Sequence, residues 1–363
     1  MTPADRHRFA AAAAYTLVAF VGLFFLDGAL AELERTELRS EAARRYRDGA
    51  NFLRSNQPAK AAEQLQRAYS LERGNRAYAV AYAEALFRSG RRQDAASLLR
   101  ALLARSSNDG EANLLMARLS AAEDRTADAD AFYHRAVYGA WTANADARVL
   151  ETRLELADYL AKKGTSRGLL AELLILQDQA SSDPALARRV AALLLEAGSP
   201  ARAAALYREL LKNVPRDAEV LTGLGRAELA AGDYRNSTAA FIDLVRKAPG
   251  NADAAHWLQL SAQLSRLDPT PRNLSSAEKH SRSMELLART VAALERCAPA
   301  DELLGPARAL MQTPVKARRP PANEQSEAAI ETAIQVWHER ERSCSTRPSP
   351  EDPLAILMKK VSE

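Results

Sequence analysis

The apolar and polar positions follow their most regular pattern in residues 184–251, which divide into two repeats of 34 residues, 184–217 and 218–251. Each repeat has two apolar stretches with helical spacing, separated by Gly198 in the first repeat and by Gly232 in the second. Apolar residues that recur every three or four positions predict amphipathic helices, and a glycine between them favours the end of a helix. The pattern therefore predicts two helical hairpins in tandem.

The same phase continues on both sides of these two repeats. Counting back in steps of 34 residues gives four more repeats, at 42–75, 76–109, 110–143 and 150–183, with six extra residues before the last of them. Residues 252–266 match only the first half of a repeat, which predicts a capping helix. Repeats of this length, each with two helices, predict an all-α array in which every repeat packs on its neighbours.

The last complete repeat carries a recognisable set of residues. Leu224, Gly225, Phe241 and Pro249 have the spacing of the pattern W-x2-L-G-x2-Y…A-x3-F…P. On these residues the array resembles the tetratricopeptide repeat (TPR) family. The resemblance implies a right-handed helical solenoid of about six repeats with a concave face. It also implies that small residues at positions 8 and 20, counted from the first residue of each repeat, face large residues at positions 11 and 24.

The 34-residue phase stops at Leu267, and no family is identified beyond it. Helical spacing predicts four further helices, at residues 274–297, 300–312, 324–342 and 353–361. Pro306 is expected to interrupt the second of them, and the proline-rich residues 313–323 predict a loop or linker. The expected organisation is an N-terminal segment (1–31), a helical connector (32–41), the solenoid with its capping helix (42–266) and a helical C-terminal region (267–363).

An uncharged apolar run occupies residues 9–26, with Arg6 and Arg8 before it and acidic residues after it. Eighteen helical residues span about 27 Å, just short of the roughly 30 Å hydrocarbon core of a membrane. The charge asymmetry favours a signal anchor that leaves the N-terminus in the cytoplasm. An A-x-A sequence at residues 29–31 supports the alternative of a cleaved signal peptide. Both alternatives place residues 32–363 outside the cytoplasm. The chain would be either single-pass in the inner (cytoplasmic) membrane with its bulk periplasmic or extracytoplasmic, or soluble and periplasmic or secreted.

The charge balance argues against a nucleic-acid partner. The chain has 50 Lys and Arg against 46 Asp and Glu, a formal net charge of +4 in 363 residues. Its basic clusters, at residues 44–47, 91–92 and 316–319, are short and far apart. A nucleic-acid-binding surface would combine a basic stripe with interleaved aromatic residues. Solvated helix faces account for these clusters.

The chain has two cysteines, Cys297 and Cys344, each at the predicted end of a C-terminal helix. In an exported chain, two cysteines in one region favour a disulfide. Such a bond would restrain the unfolded chain by roughly 4 kcal/mol in the chain-entropy model. Two unpaired thiols, one or both of them buried, are the alternative.

The sequence contains no constellation typical of catalysis or of metal binding. Its five histidines are scattered, and none has a cysteine or a second histidine at metal-ligand spacing. The motifs of zinc proteases, serine hydrolases and phosphate-binding loops are missing as well. We therefore expect a protein without enzymatic activity, metal or cofactor.

The TPR resemblance implies a groove on the first helices, at positions 2, 5, 9, 12 and 13, where members of the family bind a peptide or a helix. Carried over position by position, these places include Tyr46, Phe87, Arg88, Arg118, Arg188 and Arg226. A groove rich in Ala and Leu with recurring Arg favours an extended acidic or amphipathic segment as its partner. Ordinary solvated side chains are the alternative for each of these residues.

Together these features favour a non-enzymatic scaffold that is membrane-anchored, faces the periplasm or the exterior, and recruits protein partners. It would be similar to single-pass TPR proteins of bacterial envelopes. One alternative is a structural subunit of a stable membrane complex that docks through residues 267–363. A third hypothesis, an enzyme with its site in those residues, has no residue constellation to support it.

Overall fold

The computed structural model describes residues 3–180, 183–215, 217–298, 302–312 and 323–362, and of the side chains before residue 30 it describes those of Phe20, Leu23 and Leu26. This part of the chain is all-α, as predicted, with seventeen helices and, apart from one isolated β-bridge, no strand. The helices are α1 (Pro3–Arg54), α2 (Pro58–Leu71), α3 (Arg76–Arg88), α4 (Arg92–Arg105), α5 (Gly110–Ala122), α6 (Thr126–Val137), α7 (Ala145–Lys163), α8 (Ser166–Ala180), α9 (Pro184–Glu196), α10 (Pro200–Asn213), α11 (Ala218–Ala230), α12 (Tyr234–Lys247), α13 (Ala252–Leu267), α14 (Ser276–Glu295), α15 (Leu304–Met311), α16 (Asn323–Ser343) and α17 (Pro353–Ser362).

The helices form two compact units, Met1–Leu156 (unit 1) and Ala157–Glu363 (unit 2). Consecutive helices pack on one another from α1 to α6 in unit 1 and from α8 to α17 in unit 2. First helices of successive repeats also contact one another, α1 with α3, α3 with α5 and α9 with α11. Each unit is therefore built from helical hairpins stacked in sequence. The division of the chain at residues 31, 41 and 266 stays a prediction.

Five of the first helices, α3, α5, α9, α11 and α13, begin at the first residue of a predicted repeat or of the capping helix, and their caps explain this register. Position 34 of the preceding repeat is an Asn or Asp whose side-chain oxygen accepts a hydrogen bond from a backbone N–H of the first turn. These residues are Asn75, Asp109, Asp183, Asp217 and Asn251. At each of these five junctions one residue thus ends the turn and starts the next helix.

Small residues at position 8 pack against large residues at position 24, as the repeat pattern predicts. At Gly49 the approach is so close that a Cβ atom would lie 2.4 Å from Cγ of Leu65, and at Gly225 it would lie 2.6 Å from Cζ of Phe241. The large residues are all buried: Leu65, Leu99, Tyr133, Leu173, Tyr207 and Phe241. Contact between the two helices of a repeat therefore depends on a small side chain at position 8.

The first helix of every repeat ends at a left-handed residue in position 15. Four of these residues are glycines with φ between +70° and +84°: Gly90, Gly164, Gly198 and Gly232. The other two, Asn56 and Asp124, have φ of +54°. Asn and Asp tolerate this conformation better than other residues with a side chain, so the same turn forms without glycine. A search for glycine alone misses these two helix ends.

The connection between α6 and α7 departs from the repeat pattern. The Gly110 N–H donates to the carbonyl of Ala140 (2.9 Å), which folds the connection onto the start of α5. Trp141 takes the place of the proline of the repeat pattern, and its ring covers Gly110, where a Cβ atom would lie 2.6 Å away. Its Nε1 donates to the carbonyl of Ala136 (3.0 Å). Most of the six extra residues lengthen α7, which begins at Ala145.

The N-terminal region forms one helix, α1, that runs from Pro3 to Arg54 through the predicted connector. Within the residues that the structure describes, we find no helix that is both long enough and apolar enough to cross a membrane. Most side chains of the predicted anchor, residues 9–26, lie outside that part of the chain. The anchor therefore stays a prediction.

The C-terminal helices share one apolar core with the end of the repeat array. Leu260 and Leu264 of α13 pack in the same cluster as Leu287 of α14, Trp337 of α16 and Leu357 of α17. The capping helix thus covers the last repeat on one side and joins the C-terminal core on the other. Residues beyond the repeats bury the apolar surface that an open end of the array would expose.

Pro306 does not interrupt α15, which corrects the prediction made from the sequence. The helix begins at Leu304, so the proline lies in its first turn, where a missing N–H donor costs no intrahelical hydrogen bond. Residues 313–322, which make up the predicted linker except for its last residue, lie outside the described residues.

Two links between distant residues hold the C-terminal region together. Cys297, after α14, and Cys344, after α16, form the expected disulfide, with their Cα atoms 5.6 Å apart. Lys360 of α17 donates to Oδ2 of the buried Asp268 (2.6 Å) and to the carbonyl of Gly232 (2.7 Å). The last helix is thereby tied to the turn between α11 and α12 and to the end of α13.

Candidate functional site

In unit 1, the first helices of three successive repeats line a cleft of about 370 Å³, which we call the unit 1 cleft. Its apolar wall comprises Tyr46, Val80 and Leu114, the residues at position 5 of the three repeats, and Trp141 lines the cleft from the α6–α7 connection. Its charged side chains are Arg76, Glu84, Glu111, Arg118 and Arg148. Two of the predicted groove residues, Tyr46 and Arg118, thus line the same cleft.

The aromatic walls of the unit 1 cleft are held in place by their own contacts. The ring of Tyr46 lies 4.9 Å from that of Tyr78, measured between centroids. Trp141 is fixed by its hydrogen bond to the backbone, and the guanidinium of Arg148 lies over its ring at 6.0 Å. A segment that enters this cleft would meet walls that need little reordering, which lowers the entropic cost of binding.

Arg118 is bound within the chain. Its Nε and Nη2 donate to the two carboxylate oxygens of Glu155 at 2.8 and 2.7 Å, and the Tyr133 hydroxyl donates to Oε1 of the same carboxylate at 2.9 Å. Burial acts to raise the pKa of Glu155, but the hydrogen bond and charge of Arg118 outweigh it and lower that pKa. The hydrogen bond to Glu155 raises the pKa of Arg118 in turn. This arginine joins α5 to α7.

Phe87 and Arg88 are absent from the described lining of the unit 1 cleft. Phe87 is half-buried and packs against the apolar core around Leu53 and Leu86. Arg88 donates to Oδ1 of Asn56 (3.0 Å) and pairs with a carboxylate one turn earlier in α3. Both residues therefore serve the packing between neighbouring repeats.

In unit 2, Arg188 also pairs with the next repeat. Its Nη1 lies 2.5 Å from Oε2 of Glu219, and its Nη2 lies 3.6 Å from Oδ2 of Asp217. Asp217 caps α11, and the hydrogen bond from the backbone N–H of Val220 does most to lower its pKa, with Arg188 adding to the effect against the opposing effect of burial. Arg188 thus contacts the carboxylates at the start of α11.

A regular contact joins position 9 of one first helix to position 6 of the next. Arg118 contacts Glu155 in this way in unit 1, and Asp158 contacts Arg189 with the charges reversed in unit 2. At the end of the array Arg226, at position 9, meets an aromatic residue of the capping helix instead of a charge. The 34-residue apolar pattern does not indicate these contacts. A search for opposite charges 31 residues apart would have found the pair in unit 2.

These faces offer apolar area, fixed rings and paired charges, which suit recognition of a peptide or a helix. Within the described part of the chain, no group of three His, Cys, Asp or Glu residues could hold a metal ion. Sequence-predicted site residues fall into three sets. Tyr46 and Arg118 line a cleft; Phe87, Arg88 and Arg188 contact neighbouring helices or repeats; Arg226 is exposed.

Comparison with protein families gives two matches. Models of the tetratricopeptide repeat match residues 52–119 and residues 189–252, one in each unit. A relative named "Cellulose synthase 2 operon protein C", from Komagataeibacter xylinus, is 38% identical over 76 residues, which amount to 21% of this chain. The matching stretch is only 6% of that relative's length.

Several solved structures have similar arrangements of helices. The C-terminal part of a TPR repeat-containing protein from Cytophaga hutchinsonii is 11% identical, with a TM-score of 0.43 over 83% of this chain and 100% of that chain. PilW, described as a widely conserved type IV pilus biogenesis factor, is 16% identical, with a TM-score of 0.41 over 60% of this chain and 96% of that chain. YrrB, described as a TPR protein with an unusual peptide-binding site, is 13% identical, with a TM-score of 0.42 over 54% of this chain and 97% of that chain.

Proposed function

Because the chain is a tetratricopeptide repeat protein, we propose that it is a non-enzymatic scaffold that recruits protein partners. The unit 1 cleft receives a segment of such a partner. The observation that carries this proposal is the cleft itself, to which three successive first helices contribute Tyr46, Val80 and Leu114 together with Arg118 and other charged side chains. Its volume of about 370 Å³ has room for a few side chains of a bound segment.

The charges of the unit 1 cleft define the chemistry of the segment. Arg76 pairs with Asp109 and Glu111, and Arg118 pairs with Glu155. Arginines that are already neutralised add little attraction for an acidic partner. The unit 1 cleft therefore favours an amphipathic segment that inserts apolar side chains, with few charges of its own.

Photo-crosslinking in the native membrane tests the binding face. A crosslinking amino acid at Ala77, an exposed residue of the unit 1 cleft, should give adducts with a partner. The same amino acid at Ser97, an exposed residue of α4, is the matched control and should not give them. Val80→Glu places a charge in the apolar wall and should suppress the adducts at Ala77. Equal adducts at the two positions, or none at either, would contradict the proposal.

The proposal includes membrane anchoring through residues 9–26, with the bulk of the chain in the periplasm or outside the cell. It is supported by the apolar run and by the basic residues before it. Two reporters fused to the C-terminus test this topology. A reporter that works only outside the cytoplasm should be active, and a reporter that fluoresces only in the cytoplasm should give no signal. The mass of the mature chain distinguishes an anchor from a signal peptide cleaved after Ala31.

A structural subunit that docks through residues 267–363 is the second candidate. It would use the outer surface of the folded C-terminal region, whose core contains Leu287 and Trp337. Deletion of these residues would not separate the two candidates, because it would expose Leu260 and Leu264 of the same core. Glu331→Lys, on the exposed face of α16, is a better test. A docked subunit should leave its complex, whereas a scaffold should keep its adducts at Ala77.

A further inference from the structure

Near the end of the repeat array, unit 2 carries an exposed cation that lies against an aromatic ring. Arg226 is exposed, and its guanidinium carbon lies 5.6 Å from the ring centroid of Trp257. Among the residues that the structure describes, no carboxylate forms an ion pair with Arg226, whereas Arg88, Arg118 and Arg188 each pair with at least one. Of the four arginines predicted for the groove, Arg226 is thus the one in position to receive an outside anion.

The contact from position 9 of one first helix to position 6 of the next explains why Arg226 differs from Arg118. Where Arg118 meets a carboxylate at position 6 of the next first helix, Arg226 meets Trp257 at the corresponding place in the capping helix. An aromatic face attracts a guanidinium without neutralising its charge. The guanidinium edge carries N–H donors in a fixed fork, so these donors remain available to a carboxylate.

The ring beside Arg226 is packed against the last repeat, and the neighbouring His256 already contacts a carboxylate of this chain. The ring of Trp257 stacks on the buried ring of Phe241, with centroids 6.5 Å apart and planes 18° apart. The ring of His256 approaches Trp257 edge-on at 5.4 Å, and its Nε2 lies 3.0 Å from Oε2 of Glu351, in the segment before α17. A carboxylate of this chain therefore lies at one side of the same surface, while Arg226 stays open at the other.

We propose that the surface formed by Arg226, His256 and Trp257, the Arg226 patch, binds an acidic segment of a partner protein. A glutamate or aspartate of that segment accepts hydrogen bonds from the edge of the Arg226 guanidinium, and the adjoining chain lies against the ring of Trp257. The inference rests on the proposed scaffold function, since it names the chemistry of one partner segment. It concerns residues of unit 2 alone.

Fluorescence anisotropy with the full chain in detergent tests this inference. The probes are labelled peptides of alternating glutamate and leucine, and matched peptides with glutamine for glutamate. We expect the glutamate peptide to bind about ten-fold tighter, the change that one charge-assisted hydrogen bond gives. Arg226→Gln should abolish this preference and Arg226→Lys should keep part of it. The matched control Arg246→Gln, which alters an exposed arginine of α12 that is paired with Asp243, should leave it unchanged.

Two results would overturn the inference. The first is a preference that is absent from the wild-type chain or survives Arg226→Gln. The second is a preference that emerges only in Glu351→Gln, because the chain's own segment would then be the occupant of the patch. Circular dichroism establishes that each variant is folded. Crosslinking at Ala77 reports on the unit 1 cleft in the same variants. Loss of these adducts would contradict the scaffold proposal, whereas a failure of the Arg226 patch alone should leave them unchanged.

Discussion

Gly225 sets the distance between the two helices of its repeat. A Cβ atom at this position would lie 2.6 Å from the ring of Phe241, and that ring is fully buried and has no room to move. Gly225→Ala gains up to about 1 kcal/mol in helix propensity but overpacks the core by about 1–3 kcal/mol. We therefore expect a net loss of about 1 kcal/mol in the free energy of unfolding. Urea titration measures it, and Gly250→Ala, with open space around its Cβ, should be neutral.

Glu155 makes the stability of unit 1 depend on pH. Its pKa is held below 4.5, so its contribution is complete above the ordinary carboxyl pKa and is lost as the pH falls through the lowered value. Glu155→Gln should cost about 1 kcal/mol at neutral pH and progressively less as the pH falls below 4.5. Urea titrations at several pH values measure this difference. Glu151→Gln, on an exposed part of α7, is the control, and an equal pH dependence in both variants would contradict the assignment.

A residue in the left-handed conformation at position 15 sets the end of each first helix. Gly198 has φ of +74° and nothing within 4 Å of its would-be Cβ, so Gly198→Ala introduces backbone strain alone. We expect it to lower the free energy of unfolding by about 1–2 kcal/mol. Gly305→Ala also has free space but no positive φ, and it should be neutral or slightly stabilising. Thermal unfolding of the two variants compares them, and an equal effect would refute the role of position 15.

Local chemistry explains which elements could be predicted from the sequence. Helix starts follow from a capping residue such as Asp217, and close packing follows from a small residue such as Gly225, because both signals lie within one repeat. The turn at Asp124 contains no glycine at the left-handed position, so the glycine signal alone does not mark it. Pairs between repeats, such as Arg118 with Glu155, depend on how two first helices align. The six extra residues before the repeat at 150 put Glu155 37 residues after Arg118, whereas the pair in unit 2 has a separation of 31. Arg118 could therefore be located from the sequence, but the regular spacing does not indicate its partner.

At the scale of the whole C-terminal region, Lys360 fixes the last helix. Its partner Asp268 is buried, so Lys360→Met leaves a carboxylate without its cation and should lower the free energy of unfolding by about 1–3 kcal/mol. Relative to the wild-type chain, hydrogen exchange of the backbone amides should then accelerate more in α17 than in α16. Adding Asp268→Asn should restore part of the loss, because the uncompensated charge is removed. Lys359→Met, on the exposed neighbour, should change neither measurement.

Export of the chain and its disulfide can be tested together, because the redox state of the two cysteines reports on the compartment. Cys297 and Cys344 form a disulfide that closes a separation of 47 residues. Such bonds persist outside the cytoplasm and are reduced within it. In cells, the full chain should therefore resist alkylation at both cysteines unless a reductant is added.

A chain that lacks residues 1–31 keeps the same repeats but loses the proposed export signal. Its cysteines should become alkylated without reductant, which mass spectrometry detects as two added groups. Loss of the bond should also lower the free energy of unfolding by up to roughly 4 kcal/mol in the chain-entropy model, since the unfolded chain is no longer restrained. Alkylation of both cysteines in the full chain would contradict the export proposal. An oxidised pair in the truncated chain would mean that the disulfide forms independently of the N-terminal residues.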